Sequence, residues 1–543
     1  MTERILARVR AAYDRIAKVD RPEIWIDLRP QADVEAEALA LDPSLPLAGR
    51  LLAVKGNIDV GGLPTTAGCP SYAYLPDRDA PVVARLRAAG ALVIGTTNLD
   101  QFATGLVGTR SPYGAVRNSV DPSRISGGSS SGSAVAVALG IADLALGTDT
   151  AGSGRVPAAF NGIVGLKPTR GLVPTEGVVP ACASLDCVTV FARTLPEAEQ
   201  ALTHMVVSAG AAPVRAPGPW RVAVPDLAQL GELDAGWTDA FQRAAARLEE
   251  SGAILQPIDL VPFTEAAAML YEGAFVAERY TAVGAFIDAQ AEKGGDGLDP
   301  TVTGIVQRSR DVPAHRLYSD RERLATLRSR AMAALADADA LLLPTAPGHP
   351  TLADVAADPL GANARLGRFT NSTNLFGLAA VAVPAGDVSG LPFGVMLIGP
   401  AHTDDRLARV AALLTPSARI AVVGAHLTGQ PLNGQLLALG ARFSRSVRTA
   451  PAYRLYALAT EPPKPGLVRV PEDGSAIEAE VWALPPEGLG AFLAALPRPM
   501  ALGSVELADG TSVPGFLCEP SALTDAADIT SFGGWRPYLA SLV

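Results

Sequence analysis

Short apolar runs bounded by glycine and polar turn residues recur along the chain, with stretches of helical period between them. The opening MTERILARVRAAYDRIAKVD sets charged and apolar positions at helical spacing, so residues 1–45 are expected to form a helix followed by an irregular arm. RLLAVKGNIDVGG (50–62) reads as a short apolar strand ending in turn residues. APVVARLRAAGALVIGTTNLDQFATG (80–105) reads as helix, glycine stop, strand and loop. Residues 135–139 suit a buried helix and 143–147 a buried strand, while WRVAVP (220–225) and ALLLPTAP (340–347) are strand-like with helical stretches between. This alternation predicts an α/β fold, a central mixed sheet covered by helices. Near residue 415 the character changes. LTPSARI reads as a linker, IAVVGAHLTGQPLNGQL (420–436) as a strand opening into a glycine loop, and YRLYAL, GLVRVP and AEVWALP as further strands. Two domains are therefore expected, 1–415 and a smaller α+β domain over 420–543, with no internal repeat.

The length of 543 residues agrees with more than one hydrophobic core. Apolar residues make up 48% and charged residues 18%, which excludes a disordered chain. The net charge of -10 argues against nucleic-acid binding through a basic surface. It also means that an anionic substrate would need a local cation. Cys69, Cys182, Cys187 and Cys518 form no CxxC pair and read as small core residues of a reduced, cytoplasmic protein. The five histidines are scattered, without HExxH or HxH, so no metal and no cofactor is expected. The N-terminus lacks the apolar stretch of a signal peptide. The apolar segment near residue 140 is interrupted by Asp143 and glycines, so no membrane span is expected.

The chemistry concentrates in SGGSSSGSAVAVALGIADLALGTDTAGSGRVPAAFNG (126–162). A linker would not carry AVAVALGIADLALG, which needs burial. A phosphate loop of the GxxxxGK[ST] kind is absent. Two glycine-serine clusters around a buried segment fit instead a backbone cradle whose N–H groups bind an anion beside a nucleophilic serine. No histidine lies near either cluster in sequence, and the other recurrent base for serine is lysine. Lys55 sits among apolar neighbours on a short strand, where burial would lower its pKa; a lysine snorkelling from a strand end is the competing reading.

AVKGNID, GGSSSGSA and GTDTAGSGRVPAAFNGIVGLKPTRG together resemble the amidase signature family over residues 20–415, with Ser129 and Ser153 24 positions apart. The resemblance implies a Ser-Ser-Lys triad: Ser153 as nucleophile, Ser129 as bridging serine and Lys55 as base. It also implies an oxyanion hole from the N–H groups of Thr150, Ala151, Gly152 and Ser153. Two positions depart from the usual pattern, Ser131 and Ala151, and Ala151 must manage without glycine's backbone freedom. Asp149 and Arg155 read as an ion pair bracing the loop.

Within that family, TTNLDQFATGLVGTRSPYG (96–114) resembles the allophanate hydrolases, as does LYEGAFVAERY (270–280). Tyr271 and Arg279 would there contact the substrate carboxylate; on one helix they would be about 80° apart over two turns. Without the resemblance, Arg279 reads as a surface salt bridge to Glu278 or Glu272. The region 420–543 resembles the gamma-glutamyl cyclotransferase-like domain that follows the amidase domain in allophanate hydrolases. There His426 takes the candidate catalytic position, acting on the carboxylated product of deamination. The resemblance thus implies a cytoplasmic enzyme, a homodimer, acting on allophanate. A general small-amide amidase and the glutaminase subunit of a tRNA-dependent amidotransferase are the alternatives.

Overall fold

The computed structural model describes residues 2–207, 218–415 and 418–542. Its contacts separate two compact units, Met1–Leu414 and Thr415–Val543.

The first unit is built on an eleven-stranded mixed sheet. Its strands are β1 (Trp25–Leu28), β2 (Leu51–Lys55), β3 (Leu92–Thr97), β4 (Leu144–Asp149), β5 (Val164–Lys167), β6 (Cys187–Ala192), β7 (Arg221–Pro225), β8 (Ile254–Ile258), β9 (Ala340–Pro344), β10 (Ala379–Val388) and β11 (Leu391–Gly399). Their order is β1-β3-β2-β4-β6-β5-β10-β11-β9-β7-β8. The central strands are short, continuous apolar runs because helices cover both faces: every residue of β2, β3, β4 and β6 is buried. β2 is parallel to both β3 and β4, with Leu52 opposite Leu144 and Val54 opposite Leu146. Lys55 and Thr148 therefore emerge at the same edge, where strand ends in α/β sheets leave a crevice.

The first forty-odd residues hold more structure than the expected helix and arm. After the helix Thr2–Val19, β1 pairs antiparallel with β3, and a second helix spans Gln31–Ala40. A four-residue edge strand carries too few positions for alternation to show, and the second helix buries only Val34 and Ala38.

The second unit contains β12 (Ala418–Val422), β13 (Arg442–Arg448), β14 (Tyr453–Leu458), β15 (Lys464–Arg469), β16 (Glu478–Leu484), β17 (Met500–Glu506), β18 (Ser512–Cys518) and β19 (Ala527–Asp528). They form a five-stranded sheet, β13-β16-β12-β18-β17, and a three-stranded one, β15-β14-β19. A separate apolar core contains Ile420, Tyr453, Leu467, Val481 and Val505. Residues 418–420 of the expected linker belong to β12, its central strand; residues 416–417 lie outside the described part of the chain.

Candidate active site

The hydroxyls of the serine-rich stretch are committed to hydrogen bonds. The helix Ser131–Ala138 follows the first cluster, and its residues from Ser131 to Val137 are buried. Ser130 Oγ donates to the Thr148 carbonyl and accepts from the Thr148 N–H, while Ser133 Oγ donates to the Leu146 carbonyl. These bonds fasten the helix and the preceding turn to β4. At Gly128 a Cβ would lie 2.1 Å from Asp100 Oδ2, so only glycine lets the chain pass there.

At the end of β2 the Lys55 amine donates to Ser129 Oγ at 2.8 Å and to Thr148 Oγ1 at 2.7 Å. Lys55 and Ser129 are both fully buried, so the lysine does not snorkel to water. Burial lowers the Lys55 pKa from 10.5 to about 7, and the opposing pull of Asp100, Asp186 and Asp149 does not restore it. A neutral amine at pH near 7 can accept a proton from a serine.

Ser153 lies on the turn after β4, buried and donating at a long 3.4 Å to the Gly105 carbonyl. The segment holding Gly105 also meets the serine loop, since the Leu106 carbonyl accepts from Gly128 N–H at 2.8 Å. Ser153 and Gly128, the neighbour of Ser129, thus bond to adjacent carbonyls of this segment; the Ser153 hydroxyl is turned to Gly105, and no hydrogen bond joins it to Ser129 among the described residues.

The turn itself is held by Asp149. Its carboxylate accepts the N–H groups of Gly152 at 2.8 Å and Gly154 at 3.0 Å, and both Nε and Nη2 of Arg155. Arg155 is fully buried and reaches on to the Thr370 carbonyl, Thr373 and Asn374. Burial would push the Asp149 carboxyl up, but Arg155 and the surrounding donors hold it below its usual value. The pair braces the loop, as expected. Of the four expected oxyanion donors, Gly152 N–H is committed to Asp149, while the N–H groups of Thr150, Ala151 and Ser153 have no acceptor among the described residues. Gly152 has φ 136°, in the region that favours glycine; Ala151 is not among the positive-φ residues and needs no such freedom.

Tyr271 and Arg279 are not on one helix. The helix Val261–Glu272 ends at Gly273, which is extended at φ -93° and ψ -176°, and a new helix spans Ala277–Glu292. Asp320 accepts the Ala274 N–H at 2.6 Å and pins the break. The two side chains still meet: Arg279 Nη2 donates to Tyr271 Oη at 3.2 Å, and Nη1 to Thr104 Oγ1 at 2.9 Å. Arg279 is only 2% exposed, which rules out the surface salt bridge; Glu278 instead accepts from Ser184. Although burial works against its charge, Tyr271, Cys182, Asp186 and Glu278 together raise the Arg279 pKa.

Three buried partners had no sequence signal. Thr148 shares the Lys55 amine with Ser129. Asp100 accepts the N–H groups of Val107, Gly108 and Arg110, and its own N–H donates to the Ser129 carbonyl at 3.1 Å. Asp186 accepts from Thr150 Oγ1 and from the N–H groups of Ala181 and Cys182. An aspartate that binds backbone looks like any other in a sequence.

In the second unit, His426 stacks on Phe516, meets Phe492 edge-on, and its Nε2 lies 3.1 Å from Gln435 Oε1. It lines a cavity of 40 Å³ with Lys464, Met500 and Phe516. Burial lowers its pKa, with Gln435 pulling the other way and Lys464 adding to the shift. Among the described residues there is no cluster of His, Cys, Asp and Glu able to hold a metal, and no helix long and apolar enough to cross a membrane.

Residues 7–408 match the amidase family and residues 418–540 the allophanate hydrolase C-terminal domain. The urea amidolyase of Saccharomyces cerevisiae is 42% identical over 92% of this chain, which spans 30% of that protein's length. A glutamyl-tRNA(Gln) amidotransferase subunit from Symbiobacterium thermophilum is 36% identical over 74% of the chain and 91% of its own length. Among solved structures, Kluyveromyces lactis allophanate hydrolase superposes with a TM-score of 0.71 at 40% identity, covering 99% of this chain and 97% of that one.

Proposed function

We propose, from the premise that the chain belongs to the amidase family and is an amidohydrolase, that it hydrolyses allophanate (urea-1-carboxylate) to ammonia and carbon dioxide. The observation that carries the catalytic part is the fully buried Lys55 amine bonded to Ser129 at 2.8 Å.

In this reading the relay closes when Ser153 Oγ leaves the Gly105 carbonyl for Ser129. Its 3.4 Å bond there is long and weak. Neutral Lys55 then takes the Ser129 proton, Ser129 takes that of Ser153, and Ser153 attacks the terminal urea carbonyl. The oxyanion falls to the free N–H groups of Thr150, Ala151 and Ser153, each worth about 3–4 kcal/mol in comparable sites. The proton returns through Ser129 to the leaving nitrogen and ammonia departs. Water, deprotonated along the same path, hydrolyses the acyl-enzyme and leaves N-carboxycarbamate, which loses carbon dioxide and breaks down to ammonia and more carbon dioxide. The Arg279 fork, held by Thr104 and Tyr271, suits the substrate carboxylate. His426 acts in the second unit on the carboxylated product, donating a proton or orienting it as carbon dioxide leaves.

The match over residues 418–540 supports allophanate over glutamine, and Arg279 supports it over neutral amides. The reading includes a cytoplasmic homodimer; the four cysteines are free and buried, as a reducing compartment allows. Ammonia release from allophanate, biuret, malonamate and simple amides tests it. Allophanate should lead by at least about tenfold in kcat/KM, given a carboxylate held by a buried fork. Turnover of propionamide or benzamide without allophanate would make the protein a general amidase. Glutamine turnover that depends on a second protein would make it a glutaminase.

A further inference from the structure

A cavity of 360 Å³ opens beside the amidase site, lined in part by Tyr271, Glu272, Arg308, Arg316 and Asn363. Two of its walls connect directly to the site. Tyr271 Oη accepts from Arg279, and Asn363 Oδ1 accepts at 2.7 Å from the N–H of Leu106, next to the Gly105 carbonyl that holds Ser153. Arg308 and Arg316 are exposed, and neither is in an ion pair with a described residue. Arg316 donates to the Glu272 carbonyl at 2.6 Å, at the end of the helix Val261–Glu272. Arg308 is the last residue of the helix Pro300–Arg308. A cation at a helix C-terminus is favourable by itself, which accounts for these arginines locally. It does not account for two of them bordering one cavity on a protein of net charge -10.

We infer that this cavity is the entrance to the amidase site and that Arg308 and Arg316 guide the anionic substrate through it, a role that rests on the allophanate reading. The overall field of the protein repels a small anion, and a cleft with a local excess of one sign can reverse that field over its mouth. The charges on the lining are Arg308 and Arg316 against Glu272, which gives the rim its positive balance. Beyond the rim the substrate meets Tyr271 and then Arg279, so cations line its path from solvent to the reacting carbonyl. Arg308 and Arg316 touch no reacting atom; they are positioning residues.

The test is kcat/KM of the full chain for allophanate and malonamate, both anionic, and propionamide, neutral, in wild type, Arg308→Gln, Arg316→Gln and Glu272→Gln. In about 10 mM salt, where charges act over about 30 Å, each arginine variant should lose about two- to threefold on the anions and Glu272→Gln should gain about twofold. At about 150 mM salt the differences should shrink below about 1.5-fold. Propionamide should respond to neither salt nor substitution. A purely structural role would instead lower all substrates together and leave the salt slope unchanged, and that result overturns the inference while leaving the allophanate reading in place. Opposite charge changes that shift kcat/KM the same way would also overturn it. Turnover of propionamide with none of either anion would overturn both.

Discussion

Lys55 and Arg279 are two cations buried in the same unit, and burial leaves them in opposite states. Lys55 loses: desolvation outweighs three nearby aspartates and brings its pKa to about 7. Arg279 keeps its charge, because its pKa begins far higher and its neighbours Tyr271, Cys182, Asp186 and Glu278 more than offset its burial. A compact ammonium that gives up its proton can serve as a base, and a guanidinium that cannot give up its proton can serve as a permanent anchor. On the proposed reading, the site separates proton transfer at the end of β2 from anion binding on the helices after Glu272.

The largest effects should fall at the proton-transfer end. Ser153→Ala should reduce ammonia release by about 10,000-fold or more, with Lys55→Ala and Ser129→Ala close behind, because members of one relay fail together. Single-turnover ammonia assays on folded variants measure this, and a Lys55→Ala enzyme within about tenfold of wild type at pH 7 would break the division.

Next comes the anchor. Arg279→Gln should lower kcat/KM for allophanate by about 100-fold, the scale of a lost charged, forked contact, and neutral amides by less than about tenfold. Arg279→Lys should not rescue it, since a lysine cannot hold Thr104, Tyr271 and a carboxylate together. Equal losses on both substrate classes would make Arg279 structural.

Stability sharpens the same contrast. The folded pKa of Lys55 lies below its unfolded value, so between about pH 7 and 10.5 the unfolded chain binds a proton that the folded chain lacks. The resulting penalty is full below pH 7 and fades as pH rises to 10.5. Lys55→Met should stabilise the protein by about 1–4 kcal/mol at pH 7 in urea unfolding, and the gain should shrink by pH 10. Arg279→Met, which strands Thr104 and Tyr271, should destabilise it. The smallest effect is expected from His426→Asn, which should lengthen the lifetime of the carboxylated product in a carbon-13 time course. An unchanged decay would remove the second unit from the chemistry.

The sequence carried the α/β class and the neighbourhood of Lys55, Ser129 and Ser153, because buried strands are continuous apolar runs and close-packed turns demand small residues. It also pointed to the Asp149–Arg155 brace, which lies within one short loop. What it missed depends on distance in sequence. Asp100, Thr148 and Asp186 act through backbone and hydroxyl contacts that only folding creates. The spacing of Tyr271 and Arg279 suggested one helix presenting both to a common pocket; instead the chain breaks at Gly273, and the two side chains bond to each other across two helices.

The proposed relay needs a lysine that is neutral when it works, and the pH dependence of kcat/KM for allophanate tests this most directly. With Lys55 near pKa 7, the rate should climb about tenfold per pH unit below pH 6 and level off above about pH 8. A profile flat from pH 5 to 9, or one still rising at pH 10, would contradict the lysine base.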